Sequence, residues 1–203
     1  MVFPDYQRVN DTKIRDVFES AWGTKLDPNP GLTVVEIMNA IHADTLKGMY
    51  IMGENPAMSD PDLNHARGAL AKLEHLVVQD IFLTETAWHA DVVLPASAFP
   101  EKDGTFTNTN RQVQIGRKAL PLPGKARQDW ELIQEIARRL GLDWRYEHPR
   151  DIFGEMASVT HVTSLVGKGA LRFLLTYAPE KTNSAYAQLL VDVDGAEATD
   201  PLI

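Results

Sequence analysis

The segment Met49-Tyr50-Ile51-Met52-Gly53-Glu54-Asn55-Pro56 decides how the rest of the chain is interpreted. Its first four residues form an apolar run that predicts a buried strand, and Gly53 ends the run. Two similar runs follow, at residues 76–78 and 92–94. All three are continuous rather than alternating in polarity, which is typical of parallel strands that are covered on both faces of a sheet.

Predicted helices separate these strands. Thr33 and Glu36 have the spacing of a capping box, and the helix that they open is predicted to reach residue 43. The sequence Ser59-Asp60-Pro61-Asp62 predicts a second helix start, with its proline in the first turn. This alternation predicts an α/β fold, a Rossmann-like three-layer parallel sheet with flanking helices, although the Gly-x-Gly-x-x-Gly fingerprint is missing.

The flanking sequence completes the predicted organisation. We expect an N-terminal extension and linker over residues 1–33, the Rossmann-like domain over 34–145, and an irregular C-terminal extension over 146–203. Within the domain, the polar residues 101–110 predict a functional loop. Asp129 is predicted to start an amphipathic helix that ends at Gly141 and points these side chains inward: Trp130, Ile133, Ile136, Ala137 and Leu140.

The composition argues against several kinds of function. The chain has 203 residues and a formal net charge of −8, which argues against a general nucleic-acid binder. It contains no cysteine, so disulfides, thiolate metal sites and iron–sulfur ligation are excluded within the chain. The six histidines show no metal-binding pairing such as His-Glu-x-x-His. No apolar run approaches the roughly 20 residues that span a membrane.

Polar residues follow each of the three predicted strands. Ligands of open α/β sheets collect at the carboxyl ends of strands, near a topological switch point, so the candidate binding groups are Asn55, Gln79, Asp80 and Lys102. The sequence leaves plainer alternatives open: Asn55 as a turn residue, Asp80 as a loop cap and Lys102 as a solvated charge. Asp129 is a further candidate, with helix capping as its alternative.

Several longer motifs occur in order in the middle of the chain. They include Gly53-Glu54-Asn55-Pro56, Val78-Gln79-Asp80 and Glu101-Lys102-Asp103-Gly104, and they occupy residues 48–62, 76–87, 90–96, 101–109, 111–114 and 123–130. With these motifs the chain resembles, from Val34 to Met156, the alpha subunit of formate dehydrogenase, in the molybdopterin oxidoreductase superfamily. The signal is specific because many motifs share one order and spacing.

The resemblance implies a third-domain segment that binds one of two molybdopterin guanine dinucleotides, the pair known as bis-MGD. By position, the residues that resemble the family's cofactor contacts are Asn55, Gln79, Asp80, Lys102 and Asp129. The family oxidises formate to carbon dioxide at molybdenum or tungsten, and the electrons leave through iron–sulfur clusters. A diphosphate needs backbone amides and a cation, and a guanine edge suits a carboxylate acceptor.

The chain also departs from the family pattern. The iron–sulfur cysteines and the cysteine or selenocysteine that ligates the metal have no counterpart, and residues 157–203 no longer resemble the subunit. We therefore expect half of a cofactor site, with no catalytic residue and no metal ligand. We also expect a cytoplasmic protein whose partners are the remaining domains of the large subunit and the electron-transfer subunits. The alternatives are a non-catalytic interaction module and another nucleotide-binding α/β enzyme domain.

Overall fold

The predicted alternation of strands and helices is present in the computed structural model, which describes residues 2–4, 7–107, 113–159, 162–167, 170–175 and 189–190. In chain order the elements are β1 (Val2–Phe3), β2 (Gln7–Arg8), α1 (Thr12–Trp22), α2 (Val34–His42), β3 (Gly48–Met52), α3 (Pro56–Ser59), α4 (Leu63–Leu70), β4 (His75–Asp80), β5 (Val92–Pro95), β6 (Gly104–Thr107), β7 (Val113–Gly116), α5 (Asp129–Arg139), α6 (Pro149–Ser158), β8 (Val162–Gly167), β9 (Ala170–Leu175) and β10 (Leu189–Leu190). No helix among these described residues is long and apolar enough to cross a membrane.

The chain divides into two units. One unit, called here the sheet unit, comprises Gly31–Lys102 and Lys118–Arg145. The other, called the second unit, comprises Met1–Pro30, Asp103–Arg117 and Tyr146–Ile203. All five candidate binding residues belong to the sheet unit, so its fold determines the geometry of the candidate site.

The sheet unit is built on a three-stranded parallel sheet. The strands follow the order β3-β4-β5, with Met52 beside Gln79 and Gln79 beside Leu94. An isolated parallel bridge between Ala96 and Arg127 continues the pairing beyond β5. The α/β prediction is confirmed. The described strands follow chain order without a reversal, so the expected topological switch point does not lie among them.

One face of this sheet carries the core. Alternate residues of a strand point to opposite faces, and Ile51, Leu76 and Val78 share the buried face. They pack with Leu70 of α4, while α2 and α4 meet in an adjoining cluster. The Thr33–Glu36 capping box that starts α2 is present as predicted. Burial of this apolar area, worth roughly 25 cal/mol per Å², holds the helices against the sheet.

The opposite face is only partly covered. Tyr50, Met52 and Val92 share it and remain 42%, 46% and 40% exposed. Gln79 lies on the same face and is fully buried. Helix α5 begins beside this face, because Asp129 at its first position accepts a hydrogen bond from the Gln79 amide. This sheet face therefore carries both exposed apolar side chains and the hydrogen bond between Gln79 and Asp129.

Three local predictions need correction. The helix predicted to start at Ser59-Asp60-Pro61-Asp62 is α4, but it begins after the proline, with Asp62 as its N-cap. The single turn α3, which starts at Pro56, precedes it and was not predicted. Gln128 rather than Asp129 is the N-cap of α5. Leu140, the last residue of the predicted apolar stripe, is 77% exposed. It lies outside the helix because α5 ends at Arg139.

The second unit has its own aromatic core. Phe3 stacks on Phe18 with ring centroids 4.3 Å apart, and Trp22 packs at an angle to both. Helix α1 is followed by Gly23 in the left-handed region, with φ of 63°. Val159, directly after α6, joins this core. N-terminal residues and the residue that follows α6 thus build one cluster.

Two predicted irregular regions contain strands. Within the expected loop 101–110, β6 pairs antiparallel with β7, and residues 108–110 lie outside the described residues. In the C-terminal extension, α6 is followed by the antiparallel strands β8, β9 and β10. The apolar run Leu189–Val193 is compatible with a strand or a helix on sequence grounds, and its residues 191–193 lie outside the described residues.

Candidate functional site

The carboxyl ends of the parallel strands meet at one edge of the sheet. The backbone N–H of Gly53 donates to the carbonyl of Gln79 at 2.9 Å, and that of Ala96 donates to Asp80 at 3.0 Å. Gly53 has a φ of 64° and open space where a Cβ would stand, so it lets the chain turn sharply after β3. The polar residues that follow the three strands therefore share this edge.

A fully buried glutamine is the centre of the site. Gln79 lies in β4, and both polar atoms of its side chain have partners. The Tyr50 hydroxyl donates to Gln79 Oε1, and Gln79 Nε2 donates to Asp129 Oδ1 at 2.8 Å. Because a buried amide costs free energy unless it is hydrogen-bonded, these two contacts hold Gln79 in place.

Lys102 continues this chain of hydrogen bonds. Its ammonium donates to Asp129 Oδ2 and to the carbonyl of Ser97, the latter at 3.0 Å. The side chains of Lys102 and Asp129 are 24% and 31% exposed, so water screens their ion pair only in part. Lys102 is therefore not the solvated charge that the plainer interpretation expected, and its charge is offset by a carboxylate. Among the described residues Lys102 has these two acceptors, which leaves one of its three N–H groups for a ligand.

Asn55 belongs to a separate cluster that joins two loops. Its Nδ2 donates to Glu85 at 2.7 Å, and its Oδ1 accepts from the N–H and hydroxyl of Thr86 at 3.1 and 2.8 Å. The buried Thr86 hydroxyl in turn accepts from the Ala57 N–H at 3.0 Å. The Asn55 hydrogen bond holds the pKa of Glu85 below its usual value. Asn55 thus ties the loop after β3 to the loop after β4.

Asp80 has a local partner as well. Its Oδ1 accepts from the backbone N–H groups of Ile81 and Phe82 at 2.7 and 3.4 Å, so the loop-cap alternative is present in the structure. The hydrogen bonds of the described residues use only this oxygen. A carboxylate has about four acceptor positions, and Asp80 therefore keeps an oxygen for a ligand.

The structure brings together part of the predicted set. Gln79, Lys102 and Asp129 form one hydrogen-bonded group, whereas Asn55 and Asp80 make their contacts in neighbouring loops. Sequence reasoning missed Tyr50, although its place two residues before Met52, the register partner of Gln79, puts both on one sheet face. No group of three or more metal-ligating side chains occurs in the described parts of the chain.

The geometry first defines a class of protein. A parallel sheet with helices on it, and polar side chains gathered where its strands end, is typical of nucleotide-binding α/β domains. The family model for molybdopterin oxidoreductase matches residues 12–139, which is more than half of the chain. The chain belongs to the molybdopterin oxidoreductase family, and membership implies a molybdopterin cofactor.

Curated relatives and a solved structure agree with this family. The chain is 51% identical over 157 residues to "Putative formate dehydrogenase YrhE" of Bacillus subtilis, covering 77% of this chain and 16% of that protein. It is 52% identical over 161 residues to the F420-dependent formate dehydrogenase subunit alpha of Methanocaldococcus jannaschii, covering 78% and 24%. The fold is similar to that of acetylene hydratase from Pelobacter acetylenicus, with a TM-score of 0.55, 20% identity, and coverage of 78% and 23%. The chain thus spans a quarter or less of each of these relatives.

Proposed function

We propose that this chain is the part of a molybdenum-dependent formate dehydrogenase alpha subunit that binds one molybdopterin guanine dinucleotide, and that it is not catalytic alone. Residues 34–145 are the proposed binding domain. The observation that carries the proposal is the hydrogen-bonded group of Gln79, Lys102 and Asp129 at the carboxyl edge of the sheet. The formate dehydrogenases among the relatives support the choice of reaction.

The acceptors in the site suit a guanine base. The edge of guanine carries N–H donors, and a carboxylate accepts such donors well. Asp80 keeps one oxygen for this contact, and Asp129 keeps lone pairs on both oxygens after bonding Gln79 and Lys102. Gln79 is fully buried and both polar atoms of its side chain have partners, so its part in the proposed site is to hold Asp129 rather than to bind the base.

The donors in the site match a diphosphate less well than the acceptors match guanine. Lys102 offers one N–H, but Asp129 already offsets its charge, which weakens its attraction for a phosphate. Asn55 keeps the second N–H of its amide, and the backbone at Gly53 is open to close approach. We infer that the diphosphate is held by several neutral donors together with the shared ammonium group.

Catalysis in the proposed enzyme needs parts outside this chain. When bound, the cofactor supplies a metal that accepts the two electrons of formate oxidation, and iron–sulfur clusters pass them on. This chain has no cysteine to ligate a cluster or the metal. The exposed apolar side chains Tyr50, Met52 and Val92 support contact with the remaining domains of the large subunit. We also propose that electron-transfer subunits are partners of the whole enzyme and that the enzyme is cytoplasmic.

Two measurements on the purified 203-residue chain test this proposal. Metal and pterin analysis, combined with intact mass and a formate oxidation assay, should find no tightly held metal and no turnover. Turnover of formate by the isolated chain would refute the statement that catalysis needs other parts.

The second measurement is calorimetric titration with GDP, which carries the guanosine and diphosphate of the proposed cofactor. Asp80→Ala should weaken binding by about 1–3 kcal/mol, because a buried donor of the base loses its acceptor. The matched control is Asp143→Ala, since Asp143 is 75% exposed and pairs only with Arg145 in the described structure. Equal affinities of the wild type and Asp80→Ala would remove Asp80 from the site.

A further inference from the structure

We propose that Tyr50 is a positioning residue of this site: its hydroxyl fixes the orientation of the Gln79 amide and, through it, the carboxylate of Asp129. The inference rests on the proposed function, because it says how the ligand-facing carboxylate is held. Tyr50 lies in β3, and neither the strand pattern nor the candidate residues pointed to it.

The strand register brings the two side chains together. Tyr50 pairs with Val77, and Met52 pairs with Gln79, so Tyr50 and Gln79 project from the same face of adjacent strands. Gln79 has no access to solvent, and its amide must therefore find its partners within the protein. The Tyr50 hydroxyl supplies the donor for Oε1, and Asp129 supplies the acceptor for Nε2.

The chemistry of the groups sets one direction for the whole chain of hydrogen bonds. An amide oxygen only accepts, so the Tyr50 hydroxyl must donate to Gln79. Rotation of the amide by half a turn would set Oε1 against the carboxylate of Asp129, where two acceptors would repel. Burial and the negative charge of Asp129 both raise the pKa of Tyr50, which keeps its hydroxyl protonated and donating.

Asp129 is held from two sides as a result. Gln79 donates to its Oδ1 and Lys102 to its Oδ2, so both oxygens are fixed before any ligand arrives. Without the Tyr50 hydroxyl, Oε1 of Gln79 loses its donor, and only the bond from Nε2 to Asp129 still orients the amide. Gln79 then holds Asp129 less firmly, while the contact from Lys102 is unchanged. Tyr50 thus acts on the ligand through Gln79, without needing to touch it.

Nuclear magnetic resonance of the full chain tests the orientation directly. In the wild type the side-chain amide protons of Gln79 should exchange slowly with solvent, and Tyr50→Phe should speed their exchange about 2- to 10-fold, as expected for one lost neutral hydrogen bond. Tyr146→Phe is the matched control, because it removes a tyrosine hydroxyl that bonds Glu155 in the second unit. The control should leave the Gln79 resonances unchanged.

Titration with GDP measures the effect on binding. Tyr50→Phe should raise the dissociation constant about 2- to 10-fold, and the same change made in a Gln79→Leu background should have no further effect. Equal amide exchange and equal affinity in Tyr50→Phe and wild type would overturn the inference, as would additive effects in the double variant. If the wild type binds no GDP, the proposed function fails, and the amide exchange alone decides the role of Tyr50.

Discussion

Replacement of Asp129 by alanine removes the residue on which Gln79 and Lys102 converge. The buried Nε2 of Gln79 then has no acceptor, which costs about 1–3 kcal/mol. Lys102 also loses its ion pair, and the partial exposure of both side chains limits this loss to about 0.5–1.5 kcal/mol. We therefore expect Asp129→Ala to lower the free energy of unfolding by about 1.5–4.5 kcal/mol.

Two further variants separate the contributions. Asp129→Asn keeps one oxygen for Gln79 but turns an uncharged NH2 group towards Lys102. It should therefore lower the free energy of unfolding only by the loss of the ion pair, about 0.5–1.5 kcal/mol. Adding Lys102→Met to Asp129→Asn should cost less than the sum of the single changes, because no unpaired ammonium group remains. Urea unfolding followed by circular dichroism measures these differences, and the slope with denaturant should stay constant.

The control is Asp143→Asn, which alters a carboxylate 75% exposed to solvent in the same unit and should leave the unfolding midpoint unchanged. The reasoning is refuted if Asp129→Ala falls within about 0.5 kcal/mol of the wild type, the range of ordinary surface changes. It is also refuted if Asp129→Asn costs as much as Asp129→Ala, because the amide contact would then contribute nothing.

Three other variants and one titration probe the fold around the site and in the second unit. Gly53→Ala should cost about 1–2 kcal/mol in urea unfolding, because φ is 64° there. Gly68 lies inside α4, and a Cβ there would make an ordinary 3.4 Å contact with the His42 ring. Gly68→Ala should therefore raise the free energy of unfolding by about 0.5–1 kcal/mol. If both glycine variants were less stable than the wild type, the backbone argument would be contradicted. Thr86→Val should cost about 1–3 kcal/mol, because it leaves the Ala57 N–H without an acceptor in a buried site; an unchanged midpoint would exclude this hydrogen bond. Burial, followed by hydrogen bonding and charge from Glu155, raises the pKa of Tyr146 to about 12. Because this folded pKa lies above the unfolded value of about 10, the protonated Tyr146 hydroxyl contributes fully to stability below about pH 10, and the contribution is lost as pH rises through about 12. Ultraviolet titration of the wild type and of Tyr146→Phe isolates this tyrosine by difference; the phenol that the variant lacks should ionise near pH 12, and its ionisation near pH 10 would contradict the contact.

Local chemistry made much of the sheet unit predictable. The three apolar runs became β3, β4 and β5, and the Thr33–Glu36 pair caps α2 as its spacing indicates. Such signals act over a few residues, so a sequence records them directly. The single turn α3 was missed because Asn55-Pro56 suits a plain turn equally well. The roles of the five candidate residues toward a ligand stay predictions.

The sequence by itself determined that the chain is an α/β protein with polar residues where its strands end, because strand, turn and capping preferences depend on near neighbours. Only the tertiary structure decided how those residues are paired. Gln79 and Asp129 are 50 positions apart and Lys102 and Asp129 are 27 apart, so no local rule connects them. Their contacts depend on strand register and on where α5 begins, and both are set by the packing of the whole sheet unit.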